Sequence, residues 1–382
     1  MEVDNKSKRT VHPQGNFSLR VSRNTFCSKS CQKVSQVINL LTFSLIFSSD
    51  ENFFISDFFE FASKDALDWS LKAIRNSTIE IYNNATYGAA RGGHMDFITS
   101  LYELRYLDEK CQFGEAAGEG GHLLVIDWAK VNGYDWSTKL CESAAMGGQI
   151  KILQWARDNG QQLDIETCAS AASGGQLETL KWLRKEECPW DETTCANAAA
   201  AGYTNILAWA RDNGCPWDAT TCSSAADGGF LEILRWARYK GCPWDKFTCA
   251  YAASHGDLET LEWARMNGCP WDVTTSMEAA KYGHIELLKW IKDHGGQFTT
   301  ETCAAAASGG SLEALKWLRE IGIPWDMETT QHAAREGYFD VFKWAVTNGC
   351  PVHLKRCVNL AERHAHTDVA EKIKLMVVIK KK

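Results

Sequence analysis

The chain of 382 residues is short of several things that mark familiar classes of protein. It has no basic excess: 41 Lys and Arg stand against 48 Asp and Glu, a net charge of −7. A nucleic-acid partner calls for a basic stripe, so this balance argues against one; the IKKK end at Ile379–Lys382 reads as a short solvated tail. Long hydrophobic runs are missing too. Val37–Phe47 is apolar but interrupted, and far shorter than the roughly 20 residues a membrane helix needs. The opening MEVDNKSKRT is polar and lacks the apolar core of a secretion signal. The sequons at Asn76 and Asn84 therefore carry no meaning, and the expected location is the cytoplasm, with the nucleus left open. There is no CxxC pair and no phosphate-binding glycine loop. Proline is scarce, seven residues in all, yet six of them (Pro189, Pro216, Pro243, Pro270, Pro324 and Pro351) share one phase.

Tryptophan is what the chain has in excess. Nine of its 16, from Trp128, Trp155 and Trp182 through Trp344, stand at one constant interval without a slip. A second set (Trp136, Trp190, Trp217, Trp244, Trp271, Trp325) keeps the same period a little further downstream. Self-similarity at a fixed period of roughly 20–50 residues marks a repeat array. The best-preserved copies read CPWDATTCSSAADGGFLEILRWARYKG and CPWDKFTCAYAASHGDLETLEWARMNG. An Ala pair and a following glycine recur with the same phase from Ala144-Ala145 and Gly148 to Ala333-Ala334 and Gly337, and Gly121 and Gly93 extend the array upstream. Ten copies are visible, with a degenerate eleventh around Cys357–Ala370.

Each unit predicts two short helices. Asp or Thr after the Trp supplies an N-cap oxygen, and an Ala-rich first helix follows. A glycine such as Gly229 breaks it; LEILRWARYK forms the second helix, which Gly241 ends in the left-handed conformation before Pro243. In LETLEWAR, Leu258, Leu261 and Ala264 form one apolar stripe with Trp263 roughly opposite. Two apolar sides imply a helix sandwiched between neighbouring repeats, with the Trp128–Trp344 column in the core. The CPWD tryptophans, on loops, are the ones expected to show partial exposure.

Twelve of the 15 cysteines fall into two columns: Cys141, Cys168, Cys195, Cys222, Cys249, Cys303 and Cys357, and Cys188, Cys215, Cys242, Cys269 and Cys350. Successive members of a column lie one repeat apart, about 8–10 Å, too far for a disulfide's roughly 7 Å between Cα atoms. Zinc needs four converging ligands. Ser276 and Thr330 replace Cys without disturbing the phase, so these are read as structural thiols, with no metal and no cofactor. His255, His284, His294, His332 and the His364-Ala365-His366 group stand at no diagnostic spacing from a nucleophile or carboxylate. No catalytic residue is assigned and no enzyme is expected.

Written in this way, the unit resembles the ankyrin repeat. AASHGDLETLEWARMNG carries an Ala pair, two variable residues, a Gly, a Leu-Glu pair, a hydrophobic trio and a closing Gly, and the likeness runs over roughly residues 85–370. The unit is shorter than the usual ankyrin repeat of about 33 residues. The Thr-Pro-Leu-His signature is missing, with Thr194-Cys195, Thr221-Cys222 and Thr248-Cys249 near its place. Short CPWD units look like those of protist, algal and large-virus ankyrin proteins. The resemblance implies an all-α, ankyrin-like helical solenoid of about ten helix pairs with trimmed fingers. It also implies a non-catalytic scaffold that binds another protein on its concave face, largely through the inner helices. Nucleic acid, membranes and small-molecule substrates are not expected partners, and the chain is expected to be a monomer.

The positions that vary between copies are the two after the Ala pair and those after the CPWD turn. They include Lys246, Phe247, His255, Lys281, Tyr282 and Arg335, the candidate partner-binding residues; Tyr and Arg are frequent anchors at interfaces. By domain, residues 1–30 are expected to be disordered, 31–80 helical, 81–353 the array, and 354–382 a degenerate capping repeat with a basic tail. Ankyrin proteins of this type sometimes begin with an F-box-like element, so the alternative function is a ubiquitin-ligase substrate receptor.

Overall fold

An aspartate whose carboxylate can reach the amides ahead of it starts a helix, and this chain repeats that device in register. The computed structural model describes residues 86–103, 107, 113–134 and 139–379; the expectations for residues 1–80, the F-box-like element among them, lie outside these. Asp191, Asp218, Asp245, Asp272 and Asp326 each adopt extended backbone and accept a hydrogen bond from the amide two residues on. Asp164 and Thr299 cap the equivalent helices and form capping boxes with Thr167 and Thr302. A lost cap of this kind costs about 1 kcal/mol.

The outcome is all-helical. Among the described residues there is no strand, and helix pairs follow one another from residue 86 to Ile379 as a solenoid. The first helices, such as Glu192–Ala200, Ala219–Asp227 and Lys246–Ser254, match in length the second helices Thr204–Asp212, Leu231–Tyr239 and Leu258–Met266, at 9 residues each. The last pair, Leu354–Arg363 and Thr367–Ile379, has a longer second helix of 13 residues.

The core is built from small residues on the first helix and branched ones on the second. Ala225, Ala226 and Cys222 are fully buried, as are Leu234 and Ala237. Their equivalents in the next repeat are Ala252, Ala253, Cys249, Leu261 and Ala264. Alanine allows first helices to approach closely, and the glycine pairs take this to its limit. At Gly309 a Cβ would stand 1.8 Å from the Lys281 carbonyl oxygen, and at Gly174 it would stand 2.1 Å from that of Met146.

Two expectations about the second helix are corrected. Leu258 lies at the helix start and is 37% exposed; the buried positions are Thr260, Leu261 and Ala264. The helical tryptophans, Trp263 included, are half-buried and pack against the core instead of filling it. They form an edge. Each CPWD ring meets the next repeat's helical ring edge-on: Trp190–Trp209 at 5.9 Å, Trp217–Trp236 at 6.1 Å, Trp244–Trp263 at 5.8 Å, Trp325–Trp344 at 5.7 Å. The arginine two residues after the helical Trp lies over the following CPWD ring, with Arg184, Arg211, Arg238, Arg265 and Arg319 at 4.1–4.3 Å from the centroid. The same guanidinium donates to the backbone carbonyl two residues before that ring, Cys188, Cys215, Cys242, Cys269 or Ile323. Trp and Arg thus alternate along the loop edge, with both the apolar body and the π face of each ring in use.

The cysteine reading is also corrected, because the two columns meet each other. Cys168 and Cys188 share a hydrogen bond, and so do Cys195 and Cys215, Cys222 and Cys242, and Cys249 and Cys269. Each pair joins the first helix of a repeat to the loop that ends it. The loop thiols of Cys215, Cys242 and Cys269 also donate to the N-cap carbonyls of Asp191, Asp218 and Asp245 at 3.3 Å. The hydrogen bond to the partner sulfur, then burial, pushes Cys195, Cys222 and Cys249 well above the ordinary thiol value. Ser276 and Thr330 stand in the first-helix column and donate instead to the carbonyls of Gln297 (2.6 Å) and Pro351 (3.0 Å). Every cysteine among the described residues is free and buried.

Candidate functional site

The first helix of each repeat buries its Thr-Cys and Ala-Ala positions and leaves the rest open. Three positions face outward: the second residue of the helix, the sixth, and the last residue with its C-cap. In the repeat beginning at Lys246 these are Phe247, Tyr251 and Ser254-His255. Phe247 is 46% exposed and Tyr251 40%, their ring centroids 6.5 Å apart. The ammonium of Lys246 lies 5.5 Å from the Phe247 ring and pairs with Asp272 at 2.7 Å, tying this helix to the next. Burial opposes ionisation of Asp272, but the hydrogen bonds from Lys246 and from the Thr274 hydroxyl and amide outweigh it and hold the carboxyl below its usual value.

The other candidate residues lie at the far end of the first helices. His255 contacts Asp227 of the preceding repeat at 3.1 Å, both side chains half exposed. Lys281 covers the ring of Tyr282 at 5.1 Å, and Tyr282 is 54% exposed and stacks against His284. Arg335 is exposed and turns to its neighbour Glu336 at 2.7 Å. The six residues therefore do not form one cluster. Lys246 and Phe247 mark one rim of the face, while His255, Lys281, Tyr282 and Arg335 mark the other, about 13 Å away along the length of the helix. Arg335 lies two repeats beyond Lys281 and stands apart.

Tyr251 is absent from the sequence-derived candidates, although it sits between Phe247 and His255. Its column reads Ser170, Asn197, Ser224, Tyr251, Glu278, Ala305, and that variation is the available signal. Two histidine readings also change. His255 does have a carboxylate partner, in Asp227. His284 is not a free surface residue: it packs over Gly256 of the preceding repeat, and its Nε2 meets the Ser254 carbonyl at 2.9 Å.

Near the other end, a shallow cleft of about 440 Å³ lies among Arg91, Glu119, His122, Gln149 and Gln176. Arg91 pairs with Glu119 at 2.9 Å, and the Tyr87 hydroxyl donates to the same carboxylate at 3.2 Å. Burial, then the Glu119 charge, pushes the Tyr87 pKa up to about 12. The charges there are spent on one another. Among the described residues no group of three or more His, Cys, Asp or Glu side chains is placed to hold a metal ion, and no helix is long and apolar enough to cross a membrane.

No protein-family model matches the chain, and no curated protein matches it. Solved structures do resemble it in fold. The pentatricopeptide repeat protein PPR10 in complex with an 18-nt psaJ RNA element is 13% identical, with a TM-score of 0.37, over 92% of this chain and 61% of that one. The pentatricopeptide repeat protein PPR10 from maize is 14% identical, with a TM-score of 0.34, over 88% and 61%. The chain thus spans about 61% of the length of these structures. One expectation is corrected here: nucleic acid does not stand excluded as a partner, since that reading rested on the charge of the whole chain. A whole-chain charge of −7 says nothing about the local face a repeat array presents. What these likenesses share with the chain is a solenoid of helix pairs.

Proposed function

We propose that this chain is a non-catalytic binding scaffold of ankyrin-like build, which takes a protein partner on the exposed side of its first helices around Phe247, Tyr251, His255 and Tyr282. One observation carries the reading. Large aromatic side chains stand half exposed in adjacent repeats, at positions where other copies hold small or polar residues such as Ser, Thr, Asn, Glu, Ala or Gly. An exposed ring that supports no neighbour contributes little to folding, while rings of this kind anchor interfaces. The trimmed CPWD turns leave the first helices as the broadest free surface, and the turn rings themselves are occupied by arginine.

The test is affinity capture with the full chain, followed by mass spectrometry, comparing wild type with the double substitution Phe247→Ala, Tyr251→Ala. The expected result is a set of proteins recovered by wild type and lost by the variant, with an unchanged melting temperature. Recovery that nuclease abolishes, or proteins retained equally by the variant, would overturn this reading.

A further inference from the structure

One junction in the array is built differently from the others. The residue that precedes each second helix normally reaches back over the left-handed glycine of the preceding repeat. Tyr203 lies over Gly175, Phe230 over Gly202, His284 over Gly256 and Tyr338 over Gly310, so closely that a Cβ would stand within 2.7 Å of each side chain. Gln149 lies over Gly121 in the same way, its amide donating to the Glu119 carbonyl at 3.2 Å. Gly229 alone in this column has nothing within 4 Å of its Cβ direction, and it is exposed.

The cause is Asp257. A carboxylate at this position finds a better use on its own helix, where it accepts from the Thr260 amide at 3.0 Å and from the Thr260 hydroxyl. Thr260 in turn fills the buried position that holds Ile206, Ile233 and Leu287 in other copies, so the second helix loses a branched apolar contact as well. Thr179 makes the same exchange in an earlier copy, but there Gln176 still covers Gly148. Only at Asp257 do the two losses coincide. The core registers both. Among the described residues, buried apolar side chains form two groups, Ala89 to Cys242 and Cys249 to Ile373, and of the partly buried ones only Trp244 and Trp263 pack against both. On the open sides the junction is held by solvent-exposed pairs, His255–Asp227 at 3.1 Å and Arg235–Glu259 at 3.5 Å.

We infer that the junction between the helix pairs 219–239 and 246–266 is a hinge, about which the array opens as two packed blocks. In a repeat array each unit contacts only its neighbours, so a single weak interface divides cooperativity. The Trp244–Trp263 contact at the loop edge acts as the pivot, since these two rings pack against both blocks. Opening would part Asp227 and Gly229 from Tyr251 and His255, changing the width of the exposed first-helix face at that point.

Hydrogen exchange by mass spectrometry together with urea unfolding tests this in the full chain. In the wild type, amides of residues 219–230 and 246–258 should exchange about tenfold faster than those of 192–203 and 273–284, and unfolding should show two transitions. Asp257→Gln supplies the side chain that spans the gap at Gly121 and Gly148; its helix needs no side-chain cap, since those opened by Gln149 and Gln176 have none. That variant should slow exchange at the junction and merge the transitions. Asp257→Ala, which removes the cap and fills nothing, should keep the two transitions separate and leave exchange at the junction at least as fast as in the wild type. A single wild-type transition with the junction as protected as its flanks would overturn the inference, as would Gln and Ala variants that behave alike.

Discussion

Along the loop edge of this array, Arg184, Arg211, Arg238, Arg265 and Arg319 repeat one contact almost without variation, from 4.1 to 4.3 Å over a tryptophan ring. Along the exposed side of the first helices, the same register holds Asn197, Ser224, Tyr251, Glu278 and Ala305 in turn. Both surfaces carry aromatic rings and both are partly open to solvent, so exposure alone does not tell them apart. What separates them is whether the neighbouring repeat uses the side chain. Each loop ring completes the next unit's packing, which fixes its identity in copy after copy. Each first-helix side chain serves chiefly its own helix, so it is free to differ. The departure at residues 295–299 shows the constraint at work: GGQFT replaces the CPWD turn, yet Phe298 still meets Trp317 edge-on at 6.1 Å.

This comparison can be sharpened by substitution, beginning where neighbours depend most on one another. Leu234→Ala empties a fully buried site and should cost about 2–5 kcal/mol in chemical denaturation. Gly309→Ala should follow at about 1–3 kcal/mol, because its new methyl must displace the Lys281 carbonyl. The equivalent residue in an earlier copy is already alanine, Ala201. If Gly309→Ala proves silent, adjacent first helices can separate locally at no cost, and the close approach is not a constraint. Trp244→Ala removes the Arg238 contact and the Trp263 edge contact together. For a half-buried ring the loss should be about 1–3 kcal/mol, below the roughly 3–5 kcal/mol of a fully buried one. Trp263→Ala should fall in the same reduced range; a full core-sized loss there would mean the edge is as buried as Leu234.

The alkaline limb of stability probes the buried thiols. Burial pushes Cys303 and Cys350 from an ordinary value near 9 up to about 12. Between those values the unfolded chain has released its thiol protons while the folded chain keeps them. Stability should therefore be level below pH 9 and fall as pH rises towards 12. Urea midpoints measured under reducing conditions on either side of pH 9 check the direction. Replacing Cys303 and Cys350 by Ser should lessen the slope without abolishing it, since Cys195, Cys222 and Cys249 are raised as well, and a midpoint that rises with pH would break the account.

The period, the helix pair, the caps and the left-handed glycines were legible in the sequence because every copy states them again. Other features were harder to read, for identifiable physical reasons. Spacing in LETLEWAR shows that Leu258 and Trp263 lie on different sides of the helix, but not which side meets a neighbour and which meets the loop edge. The thiol pairs escape a reading that follows one column at a time. Their signal is the constant offset between the columns, as from Cys195 to Cys215 and from Cys222 to Cys242, and its joint loss at Ser276 and Gly296. The exposed face was legible as a set of variable positions. Its division into two rims was not, since Phe247 and His255 stand at opposite ends of one helix. Charge counted over the whole chain could not describe the face around Phe247 and Tyr251, because it averages over every repeat.

The smallest expected effects belong to the first-helix face, and there smallness is itself the result. Phe247→Ala and Tyr282→Ala remove rings that are 46% and 54% exposed and that rest on lysines of their own helices. Each should change stability by less than about 0.5 kcal/mol, as surface substitutions away from caps and cores usually do. Lys246→Ala offers a finer reading in the same repeat. It also breaks the ion pair with Asp272, which spans two repeats but is half exposed, so it should cost at most about 1 kcal/mol and less at high salt. Thermal melts in low and high salt separate the two cases: the ring substitutions should be indifferent to salt and the lysine substitution should not. If Tyr282→Ala instead melts the array as Trp244→Ala does, the next repeat depends on that ring, and the division between shared edge and free face does not hold there.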